Sequence, residues 1–599
     1  MLKAPVLSRG LSLSLLLLIW AAVCISLLIV DWQFVVPMNF RDPDDALRLV
    51  QVRDLLGGQS WFDLTQHRIH PPTGVPMHWS RLVDLPIAVT LAALTPLLGT
   101  PLAERATLII VPLAQLLLLM IVAYKLSRRL GLGAATSLLA VAMLGTSLSI
   151  LMQFAPMRID HHGAQILAGA IAMLAIANTW RRDGRSGLIA GIAMACWLQV
   201  SVEGLPCAVA MGGVLAVRHL LRVDCWPDFR NYLLALMIAS AAMLFGTHYP
   251  ADAVIFWCDS FSPAYQVPLA AACLVVLVGS GATPSNDMVR RALPLVLGGM
   301  AGGAVFLLTG RQCFAGPFET LPPIVYNNWF LAVKEGMPIW TQTRDLQAII
   351  VVPAVLGFIG SISAWRRAVC PEHRMAWASL IAMQIVAFLI SLDVMRAMSY
   401  AHFLALPGNA VLLARLLAAV QHLRTMALRV LLSAATVALT PFGASAATAA
   451  VLNPAPPAKA VSDATADRFH CTTYKALRGL DALPPALLFT PLDIGAHMLV
   501  YTHHSVVATG HHRNPQGMAE AITGLLATPD EARGIVTATH AQYVVLCRGE
   551  NEVIKYARRK PHSLIAALLK DQHPDWLTPV PMPAGESVKV YRVIYPQTA

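Results

Sequence analysis

Thirteen apolar stretches, each long enough or nearly long enough to cross a lipid bilayer, constrain this chain more than any other feature. In hydrocarbon every backbone N–H and C=O must be satisfied within the protein, so isolated stretches of this kind fold as helices, and a spanning helix takes about 20 residues. They fall at approximately 11–31, 107–124, 133–150, 163–179, 186–202, 205–219, 231–248, 265–282, 292–309, 346–363, 376–392, 400–418 and 429–449. Lys and Arg gather between them in short clusters: Lys125 to Arg129, Arg181-Arg182, Arg218 to Arg222, Arg290-Arg291, Arg366-Arg367 and Arg424 to Arg429. Placing these six clusters and the N-terminus on the cytoplasmic side gives the positive-inside pattern, which accounts for the net charge of +11 without a polyanionic partner. No basic domain stands apart from the apolar segments, which excludes a nucleic-acid partner. Only 13% of residues are charged, about half the share in soluble domains, so the chain reads as a multi-pass membrane protein.

The first stretch follows Lys3 and Arg9 and has no small-residue cleavage site before Asp31-Trp32-Gln33. It reads as a signal anchor. Leu85 to Gly99 is apolar but short and carries Pro86 and Pro96. Counting it as a span would move the Lys125 to Arg129 cluster to the outside, so it reads as an interfacial or re-entrant helix on the outer face. Residues 1–450 then form the membrane domain, with long outer loops at 32–106 and 310–345. A stiff linker, Asn453 to Pro457, leads into 451–599. There, short β-like runs (Leu487 to Phe489, Tyr543 to Leu546, Val588 to Val593) alternate with helical stretches at 516–526 and 529–539. That pattern predicts an outer α/β domain of a size that holds its own core. Most of the ten Cys lie in apolar segments and read as small hydrophobes. Cys471 and Cys547 lie in the outer domain, where an oxidising compartment would allow them to pair.

Two polar clusters sit on the expected outer side. Asp42, Asp44 and Asp45 follow the first span, and Arg158, Asp160, His161 and His162 occupy a short loop between the third and fourth. Carboxylates suit Mg²⁺, and Mn²⁺ also accepts imidazole, so both loops together would make an open site able to neutralise a leaving phosphate. Asp42 has a second reading as the cap of the helix that follows it. Arg396 stands where two spans meet on the outer side, a place suited to binding phosphate. Glu203 ends the fifth span, and Glu335 lies in the 310–345 loop between Lys334 and Gly336, where a movable segment can contact an acceptor. His503, His504, His511 and His512 form a His-rich run with no evident ligand set, and a surface role is expected for them.

Several of these pieces together resemble the catalytic subunits of oligosaccharyltransferases, within the GT-C class of membrane glycosyltransferases. Asp42-Pro43-Asp44-Asp45-Ala46-Leu47-Arg48 resembles the first-loop motif of that family, and Asp160-His161-His162 is similar to the second acidic motif of archaeal members. The Val333-Lys334-Glu335 stretch and Arg396 resemble the family's loop Glu and its Arg near helix 11. The resemblance implies a GT-C fold of about thirteen transmembrane helices with a C-terminal extracytoplasmic α/β domain, in the cell inner (plasma) membrane. It implies transfer of a sugar or glycan from a polyprenyl phosphate or diphosphate to an acceptor lipid, glycan or protein. Asp42, Asp160 and Glu335 would be catalytic, and Asp42, Asp160 and His162 would hold Mn²⁺ or Mg²⁺. Arg396, Asp45, Arg48, Arg158, His161 and Asp493 would touch substrate. One departure stands out. The family's Trp-Trp-Asp-Tyr-Gly motif corresponds here to Thr490-Pro491-Leu492-Asp493-Ile494-Gly495, which keeps Asp and Gly but lacks both Trp. Without the indoles a Ser or Thr side chain of a glycosylation sequon has no shaped pocket, which favours a lipid, glycan or other small acceptor. The alternative class is a transporter or flippase for a lipid-linked or anionic substrate. It would call for internal repeats and midplane ionisable residues, and neither is evident in the sequence.

Overall fold

The computed structural model describes residues 8–178, 180, 183–282, 287–318, 321–452, 471–582 and 587–595. Lys3, the Arg181-Arg182 cluster and the Asn453 to Pro457 linker lie outside them. Among the described residues ten helices are long and apolar enough to cross a membrane, and four shorter apolar helices accompany them. The first part of the chain gives α1 (Arg9–Val35), α2 (Pro43–Leu56), α3 (Arg81–Leu98), α4 (Thr100–Arg129), α5 (Ala134–Leu144), α6 (Leu148–Leu151), α7 (His162–Ile176), α8 (Arg185–Val200) and α9 (Leu205–Leu221). Leu18, Ile29 and Leu308 are among many large apolar side chains left exposed, as hydrocarbon-facing residues must be.

The expected stretches fall on helices, with two revisions. The third splits at Gly145 to Ser147 into α5 and the four-residue α6, which brings the Arg158 to His162 loop against α2. The last, expected at 429–449, is interrupted by a 3₁₀ turn at Thr436–Leu439 before a new helix starts at Pro441. Thr436 Oγ1 donates to the Ser433 carbonyl at 2.6 Å, and Pro441 has no N–H to continue a ladder. Elsewhere small residues bring helices together. Helices Arg344–Arg367 and Met398–Gln421 meet so closely at Gly360 and Gly408 that a Cβ on Gly360 would lie 1.9 Å from the Gly408 carbonyl oxygen.

The placement of α3 follows from its two ends. At its start, Asp84 pairs with Arg48 of α2. Just past its end, Glu104 of α4 pairs with Arg53, also of α2. Eighteen residues of helix extend about 27 Å, yet the chain is back beside α2 five residues into α4. So both ends of α3 stay near α2, although α3 is also one of the ten helices long and apolar enough to cross a membrane.

The C-terminal region carries a five-stranded sheet in the order β4-β3-β5-β7-β6, the strands being β3 (Leu487–Phe489), β4 (Ser505–Val506), β5 (Tyr543–Cys547), β6 (Leu577–Val580) and β7 (Val588–Val593). An antiparallel pair earlier in the chain, β1 (Thr65–Gln66) and β2 (Val75–Pro76), lies in the segment between α2 and α3. β3 pairs in parallel with β4 and β5, while β7 pairs antiparallel with β5 and β6. All five residues of β5 are buried, as its central position requires. Cys471 and Cys547 form a disulfide at the end of that strand. A second disulfide, Cys258–Cys313, corrects the reading of those two thiols as packing groups. Cys258 lies in the segment between helices Pro250–Ala253 and Pro263–Ala282, and Cys313 ends the 3₁₀ turn Arg311–Cys313.

This sheet is joined to the first outer loop. Ile69 bridges Val506 at the β4 edge, with His70 N donating to Val506 O and Val506 N donating to Arg68 O, each at 2.9 Å. From helix Leu492–Tyr501, Tyr501 accepts the Phe40 N–H at 3.0 Å and donates to the Met38 carbonyl at 2.7 Å. One apolar cluster runs through both parts, including Phe40, Leu47 and Ile69 on one side and Ile494, Val506 and Tyr543 on the other.

Candidate active site

The site is assembled by α2. Asp42 has extended φ and ψ, accepts the Asp44 N–H at 3.0 Å, and is followed by Pro43 at the first helical position. This is the cap geometry anticipated for it, and it sets Asp44 and Asp45 in the first turn, where the helix dipole favours negative charge. Asp45 then reaches across to the second loop. One oxygen accepts the N–H groups of Ile159 and Asp160 at 2.8 and 2.9 Å, and the other pairs with Arg158 at 2.8 Å. Arg158 also pairs with Asp42 at 2.5 Å. The two loops, more than a hundred residues apart, are thus tied by charged groups.

Asp160 is the buried centre. His161 Nδ1 lies 2.5 Å from one of its oxygens and His162 Nε2 lies 3.3 Å from the other. Ligand atoms of these three residues all lie within 4.8 Å of one another. Behind them Arg48 pairs with Asp84 at 2.7 Å, approaches Asp160 at 3.6 Å and stacks over Trp79. Arg48 is fully buried, so the expectation that it touches substrate is revised: it supports Asp160 from below. Burial opposes charge on Asp160, yet His161 and His162 hold its carboxyl well below the usual range. On Asp45 burial wins over Arg158 and pushes the carboxyl up to about 7. Desolvation also opposes charge on Asp44, but the His511 imidazole keeps its carboxyl low. Asp42 and Asp44 keep 30% and 31% side-chain exposure against 3% for Asp45, so they are the first-loop carboxylates that an incoming molecule can reach.

Beside Asp160 opens a cavity of about 240 Å³. His162, Glu203 and Arg396 line its polar end, and Ile166, Trp197, Pro206, Ile390 and Tyr400 are among its apolar walls. Arg396 donates to Glu203 and, at 3.3 Å, to Glu335 of the 310–345 loop. Three residues noted separately in the sequence therefore meet here. Asp493 is exposed at the start of helix Leu492–Tyr501, and one turn on His497 Nε2 lies 3.1 Å from the Phe40 carbonyl, two residues before Asp42.

Of the His-rich run, His503 is exposed as expected, but the rest turn inward. His504 and His511 are buried. His511 stands 3.2 Å from Asp44, while His512 and Arg513 grip Asp259 at 2.7 Å each. His78 lies beside them, its ring 4.5 Å from that of His512. Asp84 and Asp259 carried no motif in the sequence. A charge opening an otherwise apolar stretch was the one available sign for Asp84.

This arrangement of apolar helices and a mixed sheet is similar in fold to membrane glycosyltransferases of known structure. Oligosaccharyltransferase AglB from Archaeoglobus fulgidus, solved in complex with an inhibitory peptide and a dolichol-phosphate, superposes with a TM-score of 0.68 at 13% identity, covering 95% of this chain and 72% of that one. The A. fulgidus enzyme in complex with Zn and sulfate gives a TM-score of 0.60 at 15% identity, covering 97% of this chain and 74% of that one. Arabinofuranosyltransferase AftD from Mycobacteria gives 0.51 at 13% identity, and this chain spans 40% of its length. No family model and no curated protein sequence matches the chain.

Proposed function

We propose that this protein is a metal-assisted glycosyltransferase that moves a sugar or glycan from a polyprenyl phosphate or diphosphate to an acceptor on the extracytoplasmic face of the inner membrane. The convergence of the Asp42 to Asp45 turn and the Arg158 to His162 loop beside an apolar cavity with Arg396 at its polar end carries this reading. Apolar walls suit an isoprenoid, and a guanidinium suits its phosphate. The two disulfides support an oxidising, extracytoplasmic setting for the loops and the sheet domain. The AglB and AftD likenesses supply the same class of chemistry on the same fold.

The donor set fits a divalent cation. A buried carboxylate between two imidazoles, with ligand atoms within 4.8 Å, suits Mn²⁺ or Mg²⁺ through Asp160 and His162, with His161 alongside, and in our reading Asp42, paired with Arg158, joins them from the first turn. When bound, such an ion neutralises charge building on the leaving phosphate. In our reading the chain's own groups do the rest. Asp42, exposed at the edge of the cluster, positions the acceptor and takes its proton. Arg396 holds the phosphate, with Glu203 fixing its guanidinium, and Glu335 closes the outer loop over the acceptor. Arg158 and Asp45 set the loop spacing, and Asp493 faces the acceptor side. The missing Trp pair favours a lipid or glycan acceptor over a sequon peptide.

The test is Asp160→Asn in purified, reconstituted protein supplied with a pool of lipid-linked sugars. Transfer is expected to fall to background, with chelator producing the same loss in wild type and Mn²⁺ or Mg²⁺ restoring it. Undiminished transfer by the variant would overturn the proposal.

A further inference from the structure

We infer that the lipid donor is a polyprenyl monophosphate sugar and not a diphosphate, with its phosphate shared between Arg396 and a residue outside both acidic motifs, Gln165. This rests on the glycosyltransferase reading above and names the donor class that it leaves open.

The charges at the polar end of the cavity set how much anion it can take. Among the described residues that line it, Arg396 is the one Lys or Arg, against the carboxylates of Glu203 and Asp393. Glu335 pairs with the same guanidinium. Deeper in, Asp42, Asp45 and Asp160 face Arg158 and the divalent cation, and Arg48 is spent on Asp84. A sugar joined to the lipid through one phosphate carries one negative charge, which can take the place of Glu335 on Arg396. A diphosphate carries two. The second would stand against Glu203 and Asp393 with no cation opposite, and like charges set together are how a site rejects the wrong partner.

Gln165 supplies a neutral donor beside that guanidinium. It is 7% exposed, stands in the first turn of α7 and lines the cavity next to His162. Its Oε1 lies 3.3 Å from His162 Nδ1, which fixes the amide and leaves Nε2 buried with no hydrogen-bond partner. Arg396 spends its two terminal nitrogens on Glu335 and Glu203, and its Nε is likewise buried without a partner. Buried N–H groups are rarely left unmade, and two of them on residues lining one cavity suit an acceptor-rich, singly charged phosphate.

The chemistry keeps this balance. The bond between the anomeric carbon and the phosphate oxygen breaks, and its electron pair leaves on the phosphate. The acceptor oxygen bonds that carbon as its proton passes to Asp42. The phosphate gains one negative charge and Asp42 loses one, so the total is unchanged.

The experiment measures dissociation constants of two sugar-free analogues, methyl farnesyl phosphate and methyl farnesyl diphosphate, which carry one and two negative charges. The full-length protein is held in phosphatidylcholine nanodiscs with Mn²⁺. The monophosphate is expected to bind at least about 10-fold tighter, since the diphosphate sets a charge against carboxylates. Glu203→Gln is expected to bring the two within about threefold by improving the diphosphate. Gln165→Met should weaken the monophosphate about 10-fold, the worth of one hydrogen bond to a charged group. Gln165→Glu keeps an acceptor for His162 and should weaken it further. Equal or tighter binding of the diphosphate by wild type would overturn the inference, and unchanged binding in both Gln165 variants would remove Gln165 from it. Transfer separates this claim from the one beneath it. If diphosphate donors bind as well and are turned over, only the donor class falls. If neither analogue binds and neither kind of donor is turned over, the glycosyltransferase reading falls too.

Discussion

Asp45 offers the sharpest test of how the site is built, because its two oxygens divide the work. One oxygen receives the Ile159 and Asp160 N–H groups, and the other faces Arg158. Asp45→Ala leaves two buried N–H donors without partners, at about 1–3 kcal/mol each, so the second loop loses about 2–6 kcal/mol of its hold on the first. At 1.36 kcal/mol per tenfold, transfer falls by roughly 30-fold to 10⁴-fold if the loop must be seated for turnover. Asp45→Asn keeps an oxygen for both donors and loses only the charge opposite Arg158, which still has Asp42. Since burial already pushes the Asp45 carboxyl up to about 7, that charge is only partly present at neutral pH. Asn is expected to cost about 1 kcal/mol, within about tenfold in rate. Initial rates of both variants in reconstituted membranes, beside their Mn²⁺ affinities, decide the matter. Equal losses in the Asn and Ala variants, or near-wild-type turnover by Ala, would refute the argument that this carboxylate acts by seating the second loop.

Replacing Cys258 and Cys313 with Ser opens a 55-residue separation. A loop of that size is expected to cost up to about 4 kcal/mol, read as a lower midpoint in thermal unfolding in detergent. Asp259→Ala leaves Arg513 and His512 without their shared anion and should lower the same midpoint by several degrees. Gly360→Val forces a side chain against the Gly408 backbone and should prevent stable folding of the membrane helices, measured as aggregation on size-exclusion chromatography. Glu552 is buried beside Asp493, and both effects push its carboxyl up to about 8 from an ordinary 4.5. The folded protein therefore binds the extra proton between those values, and its stability falls as pH rises from about 4.5 to 8. Glu552→Gln is expected to flatten that slope in thermal melts at pH 5, 6.5 and 8.

How much of this was legible depends on whether the signal is local. Apolar length and the spacing of basic loops located the membrane helices, because in lipid the backbone leaves a chain few choices. The alternation of β-like runs and helical stretches placed β3, β5 and β7. Asp45, Asp160 and His162 stood out because charges beside apolar segments are rare. His511 did not, since its place 3.2 Å from Asp44 depends on the sheet region packing against α2, through contacts such as Arg53 to the Val500 carbonyl at 2.6 Å. Arg48 misled for a related reason: an Arg in an acidic motif suggests a ligand, and only packing shows that Asp84 and Trp79 enclose it. Cys258 and Cys313 lie next to membrane helices, and nothing in their spacing marks a bridge.

The bridge between Ile69 and Val506, with Arg68 reaching the Thr502 and His504 carbonyls at 2.6 and 2.7 Å, means that the extramembrane module has no independent outline. Excising it would strip partners from the segment that carries Asp42, so a truncated membrane half would lose the support of its own first loop. Chimaeras that replace the sheet should therefore exchange residues 36–80 along with it, as one graft.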